Sequence, residues 1–314
     1  MNIYQEIWNA DIEVGNGVRP ILKDIDGDKN EGYVVVDIEG EITSNSNEDH
    51  NILKDLYIPN SKKGIYKIFE NFFDDYEKDK SEGEIHNNKK EKEIGNFLKL
   101  IIESPSLKLA RSFIEKEGLE FKDDKDWIKY LQELWFTEFN QNGGLDLTGF
   151  EHVFIGEQKG HNKLDGYHFW YKYWLDDDTT IIERLGSHGH EYEVLDIKIT
   201  TANQPSSSPS PDVVTFIYDL IIRENGKEKS LQKRPKGGFF VGISPECLIA
   251  LGTVAYSQKY KLNKSFNGEV DTQDSRFKNP IINLNGVDYT LIIAKCKNCN
   301  TKDRIRTFYP KYDL

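Results

Sequence analysis

The chain has 314 residues, 37% apolar and 12% aromatic, and carries 53 acidic against 41 basic residues for a net charge of −12. So many rings are out of place in a disordered chain of this charge, which predicts a folded protein with room for two domains or one large one. No apolar run approaches the roughly 18–20 residues that span a bilayer. The opening residues have neither a basic start nor an apolar core, so a cytoplasmic protein without a secretory signal or membrane span is expected.

The charge is uneven. Residues 1–140 hold 31 acidic and 19 basic residues, whereas 141–314 hold 22 of each. The acidic excess belongs to the N-terminal part, and the neutral C-terminal part leaves room for a polyanionic partner. Three cysteines, Cys247, Cys296 and Cys299, are too few for a disulfide scaffold and suit a reducing compartment; Cys296 and Cys299 have the spacing of half a zinc site, with no second pair to complete it.

In chain order, Gly32–Glu39 is a β-branched run that predicts a strand. Between Gly64 and Asp79 the residues Ile65, Ile68, Phe69, Phe72 and Phe73 recur at helical spacing, and residues 78–93 read as a charged linker. Ile94 to Ile102 and Leu107 to Ile114 form two further helical stripes separated by Pro105, and Asp124 is placed to cap a helix running through Trp135. Residues 1–140 thus read as an acidic, mainly helical region.

A Gly-rich break at Gln141–Gly144 precedes a catalytic candidate over 141–314. Strands are expected at His152–Ile155, Glu191–Thr200, Val213–Arg223, Phe239–Ile243, Ile281–Leu284, Tyr289–Ala294 and Arg304–Tyr309, with Asn-Gly hairpin signals at 225–226 and 285–286. Two helices are expected among them, one capped by Asp165 and running through Leu175, the other opening at Ser244-Pro-Glu246. Pro205–Pro211 is a low-complexity loop.

Five of the seven histidines fall between 152 and 190, beside Glu151 and Glu157. His152 and His168, on different elements with a Gly-rich loop between, can face each other across a cleft. Such a pair suits in-line transesterification, one imidazole taking a proton from an internal hydroxyl and the other giving one to the leaving oxygen. RNA supplies that hydroxyl as its 2′-OH, and the basic cluster Lys233–Lys236 offers a cation for the phosphate. Structural histidines, or a metal site drawing on His152, His168, His188 and His190, stay open as alternatives, although no pair has the His-x-x-x-His spacing. His161 and His86 read as surface residues.

Leu134-Trp-Phe136, Thr148-Gly-Phe-Glu-His-Val-Phe-Ile-Gly-Glu157, Gly166-Tyr-His-Phe-Trp170 and Gly242-Ile-Ser-Pro-Glu246 together resemble the poly(U)-specific endoribonuclease, or EndoU, family from about residue 94 onward. The resemblance implies an α+β fold whose C-terminal region carries two small antiparallel β-sheets with flanking helices. It also implies uridylate-preferring cleavage of single-stranded RNA by 2′-OH attack, leaving a 2′,3′-cyclic phosphate and stimulated by a divalent cation, usually manganese, whose ligands it does not identify. On the matching positions, His152 and His168 are the catalytic pair, one acting as base and the other as acid with His168 preferred as base, Glu151 and Glu157 support them, and Ser244, Thr307 and Tyr309 contact the uridine. Phe169 departs from the family's usual Asn after the second histidine. The family's lysine falls by strict offset on Arg234 and by the bacterial pattern on Lys236; Lys236 is chosen, with Lys233 as runner-up. A non-catalytic RNA-binding protein on the same scaffold and a metal-dependent phosphodiesterase using water are the competing readings.

Overall fold

The computed structural model describes residues 2–37, 52–75, 81, 88–141, 144–177, 192–201, 210–224, 226–261, 279–296 and 304–312, with the backbone alone at 74, 75, 141, 192, 193, 200, 201, 224, 235, 236 and 261. His86, His188, His190, Cys299 and residues 205–209 of the low-complexity loop lie outside these residues.

Helix α1 (Ile3–Val14) opens at Asn2, whose side chain accepts from the Tyr4 amide. A small sheet follows whose central strand falls within the predicted Gly32–Glu39 run: β1 (Arg19–Leu22) runs parallel to β2 (Tyr33–Val36), which pairs antiparallel with β3 (Leu53–Tyr57). Helix α2 (Lys63–Glu70) tightens into a 3₁₀ turn over Asn71–Asp75, and α3 (Asn88–Ile101) begins inside the predicted linker. Helix α4 (Pro105–Lys116) has Ser104 as its cap and proline in its first turn; α5 (Asp124–Trp135) is capped by Asp123, one residue before the expected position.

The predicted break at 141–144 is bridged by a hairpin of β4 (Phe139–Gln141) and β5 (Gly144–Leu147). His152–Ile155 is not a strand: Glu151–Ile155 forms one wide π-helical turn. β6 (Glu157–Lys159) and β7 (Lys163–Asp165) follow, so Asp165 ends a strand instead of capping a helix, and α6 begins only at Trp170 (Trp170–Asp177). β8 (Tyr192–Thr201), β9 (Val213–Glu224) and β10 (Lys227–Phe240) complete a five-stranded mixed sheet in the order β6-β7-β10-β9-β8, with β7 and β10 parallel. β10 is far longer than the expected Phe239–Ile243 run. Helix α7 (Pro245–Tyr256), buried along its whole length, leads to an antiparallel sheet of β11 (Ile281–Leu284), β12 (Val287–Lys295) and β13 (Ile305–Lys311). The second Asn-Gly signal is the β11–β12 turn, with Asn285 and Gly286 both at positive φ as a type I′ turn requires.

The chain is thus α+β, with N-terminal helices followed by small mixed and antiparallel sheets. One hydrophobic core draws on both halves. Phe69 of α2 packs on Phe150, Phe154 and Phe169, so the aromatic at the departing position 169 belongs to this core. Asp11 of α1, fully buried, accepts from the Ser244 amide (2.8 Å) and hydroxyl (2.6 Å) at the start of α7. Cys247 is a buried thiol, whereas Cys296 is disulfide-bonded, so the expectation of reduced cysteines does not hold there. No helix among the described residues is long and apolar enough to cross a membrane.

Candidate active site

The π turn that carries His152 is set by a reciprocal cap. The Glu151 amide donates to Thr148 Oγ1 (3.0 Å), and the Thr148 amide to Glu151 Oε2 (3.4 Å), the pattern of a capping box. Glu151, 1% exposed, therefore holds the turn. Gly156, at φ +86°, ends it.

Two backbone bonds then fasten the second histidine: the Tyr167 amide donates to His152 O (2.8 Å) and the His168 amide to Val153 O (2.7 Å). Close approach demands glycine at 166, where a Cβ would stand 1.9 Å from His152 O. Tyr167 is itself at φ +65°, a left-handed conformation costly for an aromatic residue. Its hydroxyl donates to buried Asp176, which also accepts from Lys172 Nζ at 2.5–2.6 Å.

The imidazoles of His152 and His168, 5% and 3% exposed, have centroids 6.0 Å apart. Each is anchored through Nδ1: His152 to Glu157 Oε1 (3.3 Å) and His168 to Gly238 O (3.1 Å). Both anchors are acceptors, so Nδ1 carries hydrogen in the neutral tautomer and Nε2 is the nitrogen left to exchange protons. Tyr309 of β13 stacks on His168 at 4.0 Å and 9°.

A bulge in β10 between Lys233 and Gly237 lets this strand present both Lys233 and Gly238 to the pair. Lys233 is buried and its Nζ donates to Gly166 O; a side chain at Gly237 would meet Lys233 Cε at 2.6 Å. Arg234 turns away, bonding Tyr218 O (2.8 Å) and Asp219 Oδ1 (2.9 Å). Lys236 lies within the bulge, and its side chain is outside the described residues. Among the described side chains, the lysine beside the histidines is Lys233, the runner-up.

Sequence reading missed Arg306. Its guanidinium grips Glu157 in two bonds, Nη1–Oε1 at 2.7 Å and Nη2–Oε2 at 2.8 Å, and lies 3.6 Å from Asp165. The only sequence signal was its position beside Thr307. The hydroxyl of Thr307 has no hydrogen-bond partner among the described residues. Ser244, expected to contact uridine, is fully buried and used otherwise, capping α7 through the Cys247 amide (3.2 Å) while bound to Asp11.

Burial pushes His152 below the usual histidine range, with Arg306 adding to this and Glu157 opposing it. His168 is pushed well below by burial and then by Lys233. Burial also brings Lys233 down to about 8, against the pull of Asp165 and Glu157. Glu157 would be raised by burial, but His152 and Arg306 overcome this and hold it below the carboxylate range.

His152, Glu157 and Asp165 each offer a ligand atom within 4.8 Å of the others, a donor set chemically acceptable to manganese. The two carboxylates already face Arg306, however, and a divalent ion there would have to displace a guanidinium. As arranged, the cluster does not fit a metal ion.

An α+β scaffold with two anchored imidazoles and a buried ammonium group beside them has the make-up of an acid/base catalyst. The profile of the family described as "Endoribonuclease XendoU" matches residues 21–310, and the chain belongs to that family. The match begins far upstream of residue 94, where the recognisable motifs start. Similar proteins include uridylate-specific endoribonuclease B of Danio rerio, 31% identical over 66% of this chain and 67% of that one. Poly(U)-specific endoribonuclease-B of Xenopus laevis is 25% identical over 81% and 80%. The fold resembles the solved structure of XendoU, described as a splicing-independent snoRNA-processing endoribonuclease, with a TM-score of 0.61 over 98% of this chain and 94% of that one at 22% identity.

Proposed function

We propose that this chain cleaves single-stranded RNA 3′ of uridines by 2′-OH attack, with His168 as base, His152 as acid and Lys233 as the electrostatic partner. The observation that carries the reading is the pair of Nδ1-anchored imidazoles 6.0 Å apart. His168, kept neutral by burial and Lys233, takes the 2′-OH proton, and O2′ attacks phosphorus. The P–O5′ bond breaks, and O5′ receives a proton from the His152 imidazolium, which Glu157 supports. The products are a 2′,3′-cyclic phosphate and a 5′-OH end. Lys233 has two N–H donors beyond the one given to Gly166 O, suited to the phosphoryl oxygens.

In the same proposal Thr307 and Tyr309 of β13 hold the uridine, by hydroxyl and ring respectively; Ser244, occupied by Asp11, is left out. Manganese stimulation is part of the reading, with the ion acting outside the Arg306-filled cluster by reducing repulsion between RNA and a chain of net charge −12.

The test compares a uridine-containing oligonucleotide with its 2′-deoxyuridine counterpart, in manganese and in chelator. Cleavage of the ribo substrate alone, leaving a cyclic phosphate, is expected. Cleavage of the deoxy substrate would establish a water nucleophile instead, and binding without cleavage of either would make the chain an RNA-binding module.

A further inference from the structure

The feature of the site with no role so far is Arg306. Strand β13 pairs Thr307 with Ala294 and Ile305 with Lys295, leaving Arg306 as the extra residue of a bulge. In an unbroken strand Arg306 would face away from Thr307 and Tyr309; a bulge re-aims the extra side chain and is a recurrent device beside active sites. Here one strand sends Tyr309 to His168 and Arg306 to the carboxylate that holds His152.

The contact is built for geometry. Glu157 is completely buried and both its oxygens are engaged by one planar guanidinium, which fixes the carboxylate plane. Oε1 is shared with His152 Nδ1. Phe139 backs the guanidinium, with the ring centroid 5.9 Å from Cζ. Without Arg306, Glu157 would be a buried carboxylate whose remaining hydrogen-bonded partner is the imidazole it orients; it would either take up a proton or lock His152 as imidazolium.

We propose that Arg306 is a positioning residue for the cleavage reaction, clamping Glu157 in the plane that orients His152. This rests on the reading of His152 as an acid in RNA cleavage. Arg306 lets Glu157 orient the ring without holding its proton too tightly for release to O5′.

The experiment measures kcat, KM and pH profiles for Arg306→Met, Arg306→Lys, Glu157→Gln and the double variants, with folding checked by circular dichroism and thermal melts. Arg306→Met is expected to lower kcat by about 10- to 100-fold with little change in KM, and to move the alkaline limb of kcat/KM upward. Arg306→Lys should restore part of the rate. In the Glu157→Gln background either Arg306 substitution should add little, because it acts through Glu157. Wild-type kcat in folded Arg306→Met, a loss confined to KM, or multiplicative losses in the double variants would overturn the proposal. Should Arg306→Met not fold, Arg306→Lys alone and with Glu157→Gln gives the same decision. Histidine titration by NMR without RNA separates this from the parent reading: in Arg306→Lys the His152 midpoint should move. An unmoved His152 would sink the proposal even if the wild type cleaves RNA, whereas a wild type that cleaves nothing would sink the parent reading and, with it, the role of Arg306 in cleavage.

Discussion

Two histidines with unequal surroundings give a sign to the pH dependence. Burial and Lys233 put His168 well below the ordinary value of 6.5, while His152 is lowered with Glu157 pulling the other way. The base must be neutral and the acid protonated, so kcat/KM, which reports the free enzyme, should rise through the lower value and fall through the upper one, both under 6.5. An optimum on the acid side of pH 6.5 is the expected profile; a maximum above pH 7.5 would contradict the assignment. Lys233→Ala should cost about 10²- to 10³-fold in kcat, as the loss of an electrostatic stabiliser does, whereas Lys236→Ala and Arg234→Ala should stay within a few-fold of wild type in the same assay. The histidines, Glu157 and the candidate lysines were legible in the sequence because residue type and motif spacing carry them. Telling inward Lys233 from outward Arg234 was not, because a bulge in β10 alters which side chains face inward, and no offset in sequence encodes a bulge.

The elements that hold these residues were legible in proportion to their regularity. Helical stripes around Phe97, Leu107 and Leu131 and the Asn285-Gly286 turn stand out because period and φ demand leave marks on residue choice. The turn at Glu151–Ile155 did not: its apolar residues read as β-branched and aromatic, yet the Thr148–Glu151 box and Gly156 close it into a π-helical turn. Thr148→Ala should therefore lower stability by about 1 kcal/mol, read by urea titration, and also reduce kcat, because His152 rides on this turn. A stability loss with kcat unchanged would show that the box does not align the histidine. Tyr167→Phe removes the hydroxyl bond to Asp176 that holds a left-handed residue next to His168, and should likewise lower kcat without abolishing folding.

Across the whole molecule, one core unites the acidic helical part with the sheets, so calorimetry should give a single unfolding transition for the full chain. Burial raises Asp11 to about 6 and Glu246 to about 7, Asp11 adding to the latter; burial and then Asp196 raise Asp177 to about 8. A carboxyl raised on folding contributes its stability in full below its unfolded value, and loses it as pH climbs through the folded one. Glu157, lowered on folding, behaves oppositely and loses its contribution as pH falls below the ordinary carboxyl range. His152 and His168, lowered on folding, offset this up to pH 6.5, so thermal stability should decline between pH 6.5 and pH 8; a rising Tm over that interval would refute the balance. The bond from Asp11 to Ser244 links positions 233 residues apart. At a ribosomal pace of roughly 5–20 residues per second, that separation is about 10–50 s of synthesis. During that interval the first helix has left the ribosome, but the helix start that satisfies its buried carboxyl has not been made. Helix α4 can cover α1 well before then, but the Asp11 carboxyl waits for Ser244, and chaperone capture should fall off once that residue has been made.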